Sequence, residues 1–203
     1  MSVFVYGPPQ STYVRTVRMA CTEKGVPYQL KDVEFGSTDH TSLHPFARIP
    51  ILRHRDFILC ESSAITRYID QVFEGPPLRP ENARERGLMN QWISTVMDYY
   101  YDVMIRSLVL PRLGLAPLDD KKIAELRPRL EHQLGVADKA LADKAFLSSE
   151  VITLADLFLA PIIAFVMKTP EGGRAVPGYA NLVRWIRDIM ERESFASSVP
   201  PLL

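Results

Sequence analysis

Residues 74–82, EGPPLRPEN, place three prolines and a glycine in nine positions. Proline fixes φ and removes a backbone donor, so neither a helix interior nor a central strand runs through such a stretch. It reads as a linker, and it divides the chain into residues 1–75, a linker at 76–82, and residues 83–203. The hydrophobic pattern differs on its two sides. Before it the period changes repeatedly; after it only helical spacing recurs.

The first part opens with VFVY (3–6), a short strand, followed by a helix that puts Val14, Val17 and Cys21 on one face and stops at Gly25. YQLKDVEF (28–35) reads as a second strand, and IPILRH with DFILC (49–60) as a hairpin. ESSAITRYIDQVF (61–73) reads as a helix with Ala64, Ile65, Tyr68, Ile69 and Val72 in one apolar stripe. The order βαβ, loop, ββα predicts a four-stranded mixed sheet with covering helices, the layout of an α/β thioredoxin-like domain. The second part predicts an all-α domain, with helices near 83–112, 120–143, 154–168 and 179–193 and no fixed-period repeat.

Composition narrows the partners. Hydrophobic residues make up 47% of the 203, enough for a packed core, and 24 basic residues balance 24 acidic ones. No basic excess attracts a polyanion, so nucleic acid is not expected as a partner. Two cysteines, no signal-like N-terminus and no long apolar run predict a cytoplasmic protein with reduced thiols and no membrane partner.

Three stretches of the first part concentrate polar chemistry. In YGPPQSTYVRTVRMA (6–20), two prolines stiffen a strand-to-helix turn that presents Ser11, Thr12 and Tyr13 at the helix mouth. Ser and Thr there are good N-caps in their own right. HPFARIP (44–50) precedes the hairpin; with a cis Ile49–Pro50 bond, the backbone of Ile49 is free to pair with a peptide ligand as an added strand. Pro50 also reads as the start of a strand. ESS (61–63) lies where first-turn amides and the helix dipole attract a carboxylate, Ser62 adds a hydroxyl, and Glu61 suits an ammonium beside that carboxylate. Glu61 equally reads as an acid that complements the dipole.

Over essentially its whole length the chain resembles a cytosolic glutathione S-transferase. QSTYVRTVRMACTEKGVPYQL is similar to the serine-motif helix and following strand of that family, HPFARIP to its Asn-Pro-Phe-Gly-x-Val-Pro loop, and ESSAITRYI to its Glu-Ser-x-Ala-Ile-x-x-Tyr helix. TLADLFLAPI resembles its buried capping segment, with Thr153 and Asp156 spaced to satisfy each other's backbone donors. The resemblance implies that Glu61 and Ser62 hold the γ-glutamyl group and that Ile49, ahead of Pro50, pairs with the cysteinyl moiety. It implies a basic or amide side chain for the glycine carboxylate, for which His40 and Arg48 are the candidates. It also implies a homodimer, with Phe46 as the aromatic side chain inserted into the partner; a small local core under the loop is the other reading of Phe46.

The implied activity is conjugation of glutathione, a co-substrate in an enzyme with no metal or other cofactor, to small apolar electrophiles in detoxification. A thiol with a pKa of about 8.5 is mostly protonated at neutral pH, and a hydroxyl donor at a helix N-terminus favours the thiolate. Ser11 is the expected donor and Thr12 the reserve, with Tyr6 a poorer candidate. The electrophile pocket is expected between the domains, lined by Tyr13, Tyr100, Tyr101, Met104, Leu108 and Phe165, although Tyr and Met at helical spacing also make ordinary core. The first motif is phi-like or bacterial, with zeta-like spacing, but Tyr13 stands where zeta enzymes carry the cysteine used in isomerisation. His44 and Ala47 replace the loop's usual Asn and Gly. Cys60, before the Glu-Ser pair, raises a peroxidase or thiol-transferase alternative; a non-catalytic glutathione-binding regulatory module is the other.

Overall fold

The computed structural model describes residues 2–201. They form two compact units: residues 2–79 together with 191–201, and residues 80–190.

In the first unit β1 (Val3–Tyr6) leads into α1 (Thr12–Glu23), and β2 (Tyr28–Lys31) returns parallel to β1, pairing Val3 with Tyr28. After α2 (Thr38–Leu43), β3 (Ile51–His54) lies antiparallel to β1 and pairs with β4 (Phe57–Cys60), giving the mixed order β2-β1-β3-β4. Val3, Val5, Ile51 and Leu52 of the sheet are all buried, Val5 and Leu52 on one face and Ile51 on the other. α1 and α3 (Ser62–Val72) pack against each other, burying Val14, Val17, Cys21, Ile65 and Ile69. Complete burial of one such side chain contributes roughly 1.5–3 kcal/mol.

Local chemistry sets these boundaries. α1 ends in a Schellman turn: Gly25 adopts φ 65°, its N–H bonds Thr22 O at 3.0 Å, and Val26 N–H reaches Cys21 O at 2.8 Å. β2 is shorter than the expected 28–35 because β1 ends at Gly7, whose N–H takes Lys31 O at 2.9 Å and closes the ladder. The sequence reading missed α2, which Ser37 caps by accepting His40 N–H at 3.1 Å. Val72, placed in the apolar stripe of α3, is 49% exposed.

The expected linker is anchored rather than loose. Leu78 is buried and donates its N–H to Asp70 Oδ1 at 2.7 Å, while Arg79 Nε meets Asp70 Oδ2 at 2.6 Å and Lys24 Nζ bonds Gly75 O at 3.1 Å. Asp70 therefore draws residues 75–79 into the first unit.

In the second unit the expected 83–112 helix is continuous, with a change of hydrogen-bond pattern. α4 (Ala83–Thr95) passes into a π-helical segment (Val96–Val109) and then α5 (Leu110–Arg112). The expected 120–143 helix is broken at Leu126 into α6 (Asp120–Glu125) and α7 (Arg127–Ala140), with Pro128 in the first turn of α7. α8 (Leu154–Val166) is buried almost throughout and packs on the π segment and α4. α9 (Pro170–Ala175) and α10 (Ala180–Met190) complete the unit. The boundary expected at 203 moves, because α11 (Glu193–Ser198) packs along α1 and belongs to the first unit.

Candidate functional site

Ser11 is the N-cap of α1, with extended backbone (φ −65°, ψ 126°), and its Oγ accepts the Val14 N–H at 3.4 Å. A hydroxyl that accepts this bond still has its own proton to donate, so capping and donation to a ligand are compatible. Ser11 is half-buried. Thr12, the reserve donor, is 4% exposed, and its buried Oγ1 has no hydrogen-bond partner among the described residues. Tyr13 is half-buried beside them.

The turn that carries Ser11 is closely fitted. Ser11 N–H bonds Pro8 O at 3.1 Å, and Gly7 adopts φ 134°. A Cβ on Gly7 would stand 2.6 Å from Val14 Cγ2 and 3.2 Å from Ile49 Cβ. Gly7 thus lets α1 and the loop before β3 meet at one point, which brings the first two motifs together.

The Ile49–Pro50 bond is cis, and among the described residues the N–H and C=O of Ile49 have no backbone partner. Two histidines shape the loop ahead of it. His40 is fully buried; its Nδ1 accepts Gly36 N–H at 3.2 Å, which leaves the proton on Nε2 to donate to Arg48 O at 3.1 Å. Both ring nitrogens are used inside the loop, so the buried His40 acts as a loop anchor. Arg48 keeps an exposed side chain. His44 is 2% exposed; its Nδ1 accepts Phe46 N–H at 3.1 Å, and its Nε2 lies 4.0 Å from Glu61 Oε1. Burial pushes the His44 pKa down, partly offset by Glu61, while His40 and Arg48 lower it further. His44 links the second motif to the third. Sequence reasoning noted it only as a departure from the loop pattern, since nothing local marks which side chain a ring nitrogen will face.

Ala47 adopts φ 47°, which explains why glycine suits that position. Phe46 is 75% exposed, so a local core under the loop is not formed within the chain.

Glu61 stands at the start of α3 with φ 69°, makes no side-chain cap bond, and leaves its carboxylate 62% exposed. A left-handed backbone at a non-glycine residue costs roughly 1–3 kcal/mol and recurs at ligand sites. Ser62 follows at 4% exposure in the first turn of α3. Cys60 donates its thiol to Leu43 O at 3.4 Å, and burial together with Glu61 raises its pKa, the opposite of what a reactive thiol needs. Cys21 is buried and pushed up to about 12 by desolvation.

The helical side chains expected to line an electrophile pocket belong largely to core. Tyr100 is 1% exposed, donates to Gln133 O at 2.7 Å and packs edge-on against Trp92; burial raises its pKa. Met104, Leu108 and Phe165 are also buried. Tyr101 is half-buried with the Arg106 guanidinium 5.4 Å from its ring centre, whereas Tyr99 is 63% exposed. The consecutive tyrosines thus face different surroundings, and close packing within the helices claimed Tyr100.

The capping segment forms as its spacing predicts. Asp156 is wholly buried and accepts the Thr153 N–H, the Thr153 hydroxyl, the Leu147 N–H and the Trp185 Nε1–H, each at 2.9 Å. Burial, opposed by these donors, raises its pKa.

Residues 5–77 match the family described as glutathione S-transferase, N-terminal domain, and residues 92–193 match glutathione S-transferase, C-terminal domain. Glutathione S-transferase F12 of Arabidopsis thaliana is 28% identical over 207 residues, covering 96% of each chain. A stringent starvation protein A homolog of Haemophilus ducreyi is 29% identical over 202 residues, covering 96% of this chain and 88% of that protein. Among solved structures, glutathione transferase F2 of Populus trichocarpa superposes with a TM-score of 0.86 at 26% identity, covering 97% of this chain and 96% of the other. The chain belongs to the glutathione S-transferase family. No helix among the described residues is long and apolar enough to cross a membrane, and none of their side chains cluster as a metal site.

Proposed function

We propose that this chain is a transferase that conjugates glutathione to small apolar electrophiles, with Ser11 stabilising the thiolate. The observation that carries the reading is the state of the Ser11 hydroxyl: its oxygen is held by the Val14 N–H while its proton remains available. That proton, donated to sulfur at the positive end of α1, favours the charged form, and a fall of about two pK units corresponds to roughly 2.7 kcal/mol. Glu61 and Ser62 take the γ-glutamyl ammonium and carboxylate, and the unpaired backbone of Ile49 takes the cysteinyl amide. With His40 occupied, Arg48 is the cation offered to the glycine carboxylate. The thiolate then attacks the electrophilic carbon, forming the C–S bond as a leaving group departs or a conjugated double bond takes up the electron pair.

Phe46 serves as the contact of a homodimer, which its exposure favours over a local core. Tyr13 and Tyr101, both half-buried, remain candidates for contact with the electrophile. A cytoplasmic setting suits the free thiols.

The test is ultraviolet difference absorbance of the glutathione complex across pH, with conjugation rates on a panel of electrophiles. Thiolate absorbance at neutral pH that shifts upward by one or more pH units in Ser11→Ala, with glutathione still bound, is the expected result. Absence of glutathione binding, or an unchanged thiol titration in Ser11→Ala, overturns the assignment. A non-catalytic glutathione-binding regulatory module is the second reading; it predicts glutathione binding with no turnover on the panel. The raised pKa of Cys60 weighs against peroxide reduction or thiol exchange at that residue.

A further inference from the structure

His44 reaches two motifs through its two ring nitrogens. It is 2% exposed at the C-terminal end of α2, where its own N–H bonds His40 O at 2.9 Å and its C=O accepts Ala47 N–H at 2.9 Å. Its Nδ1 accepts Phe46 N–H at 3.1 Å. A backbone N–H can only donate, so Nδ1 carries no proton and the neutral ring keeps its proton on Nε2. The Glu61 carboxylate lies on that side, with Oε1 4.0 Å from Nε2. The gap is just beyond hydrogen-bond reach, and a turn of the exposed Glu61 side chain closes it.

The ring is neutral at pH 7. Burial pushes its pKa below the usual histidine value, Glu61 at the start of α3 opposes this, and His40 from α2 and Arg48 from the following loop push it down further. Cys60, next to Glu61 at the end of β4, does not compete for the carboxylate, because its thiol donates to Leu43 O at 3.4 Å.

Glu61 has little other support. Its backbone is left-handed at φ 69°, its side chain makes no cap bond to α3, and its carboxylate is 62% exposed. His44 is the one described residue within ion-pair distance of it. A carboxylate that is already steadied loses less rotamer freedom on meeting an ammonium than one that swings in solvent. Asparagine, the residue usual at this place in the loop pattern, would reproduce the bond to Phe46 N–H as an Asx turn. Its side chain is too short to present a donor where Nε2 stands.

We propose that His44 is a positioning residue for glutathione, whose Nε2–H takes one oxygen of the Glu61 carboxylate and leaves the other aimed at the γ-glutamyl ammonium. This rests on the reading of Glu61 as the ammonium's partner, and it adds to the site a residue that acts through Glu61 rather than on the peptide itself.

Calorimetric titration of the full chain with glutathione tests it through two variants that split the ring's functions. His44→Asn keeps the acceptor for Phe46 N–H and loses the donor, whereas His44→Gln keeps an N–H near the place of Nε2 and loses the acceptor. Glutathione affinity is expected to fall about fivefold or more in His44→Asn and to stay within about twofold of wild type in His44→Gln. A residue that served only the turn would give the reverse order. In the Glu61→Gln background, His44→Asn is expected to change affinity by less than about twofold, since the two residues act through one contact. The glutathione analogue that lacks the α-amino group binds wild type and His44→Asn alike. Wild-type affinity in His44→Asn, the reverse order of the two variants, or an undiminished His44→Asn effect in Glu61→Gln or on the analogue overturns the proposal, with thermal melts checking the fold. Where His44→Gln fails to fold, the Glu61→Gln background and the analogue decide the matter. A wild-type chain that binds no glutathione removes the transferase reading together with this one, whereas each of the other adverse results leaves the transferase reading standing.

Discussion

The Glu23 carboxylate receives both Nε (2.7 Å) and Nη2 (2.6 Å) of Arg192, joining the end of α1 to a residue 169 positions later in the chain. Ser194 Oγ donates to the same carboxylate, Arg18 donates to the carbonyls of Ser197 and Ser198, and the Arg15 guanidinium lies 4.7 Å from the centre of the Phe195 ring. The last described helix is bound along one side of α1 by alternating charge and ring contacts.

Glu23 makes this attachment sensitive to acid. Burial alone raises its pKa, but the Arg192 and Ser194 bonds outweigh that and hold it below the usual glutamate range. A carboxyl with a depressed folded pKa contributes stability above its unfolded pKa, about 4.3, and loses it as pH falls through the lower folded value. Glu23→Gln is expected to cost about 1–2 kcal/mol at neutral pH and to flatten the acid limb of stability against pH. Urea midpoints measured from pH 7 down to pH 3 check this; an acid limb as steep as that of the wild type contradicts it.

Ala47 offers a gain. At φ 47° its Cβ is crowded in a way that glycine avoids. Ala47→Gly is expected to be neutral or to stabilise by up to about 1 kcal/mol, because relief of the left-handed strain competes with the added flexibility of the unfolded chain. Thermal melts decide the sign, and a loss of more than about 1 kcal/mol is incompatible with this account of the loop.

Asp156 holds the helical unit together from inside. Asp156→Ala strands the Trp185 indole N–H and the Leu147 and Thr153 donors in a dry interior, at about 1–3 kcal/mol for each group left unpaired. Loss of at least about 3 kcal/mol, read as a much lower Tm or insoluble expression, is the expected result, with Asp156→Asn falling in between. Wild-type stability in the alanine variant would show that water replaces the carboxylate.

Glu61 bears on recognition. In the proposed role its exposed carboxylate meets an ammonium, so Glu61→Gln raises the KM for glutathione about tenfold and changes kcat much less. A fall in kcat at unchanged KM places Glu61 in the chemical step instead.

Much of this was legible in local signals. The alternation of VFVY, the Gly25 stop and the Thr153–Asp156 spacing each act within a few residues, and each forms what its chemistry dictates. What escaped depended on distant partners. His40 carries the chemistry of a ligand, but Gly36 and Arg48 claim both of its nitrogens. Tyr100, Met104 and Phe165 carry the composition of a pocket, yet they are buried where the helices pack. No periodicity in the sequence marks where i→i+4 bonding gives way to i→i+5 at Val96.

The return of residues 191–201 to the first unit makes the helical unit an insert with both of its ends attached to the same body. Chimaeras that exchange substrate preferences between relatives therefore have two splice points rather than one, near residues 80 and 190. A graft that carries the native C-terminus away with the helices severs the Arg18 and Glu23 contacts and strips one flank of the helix that presents Ser11.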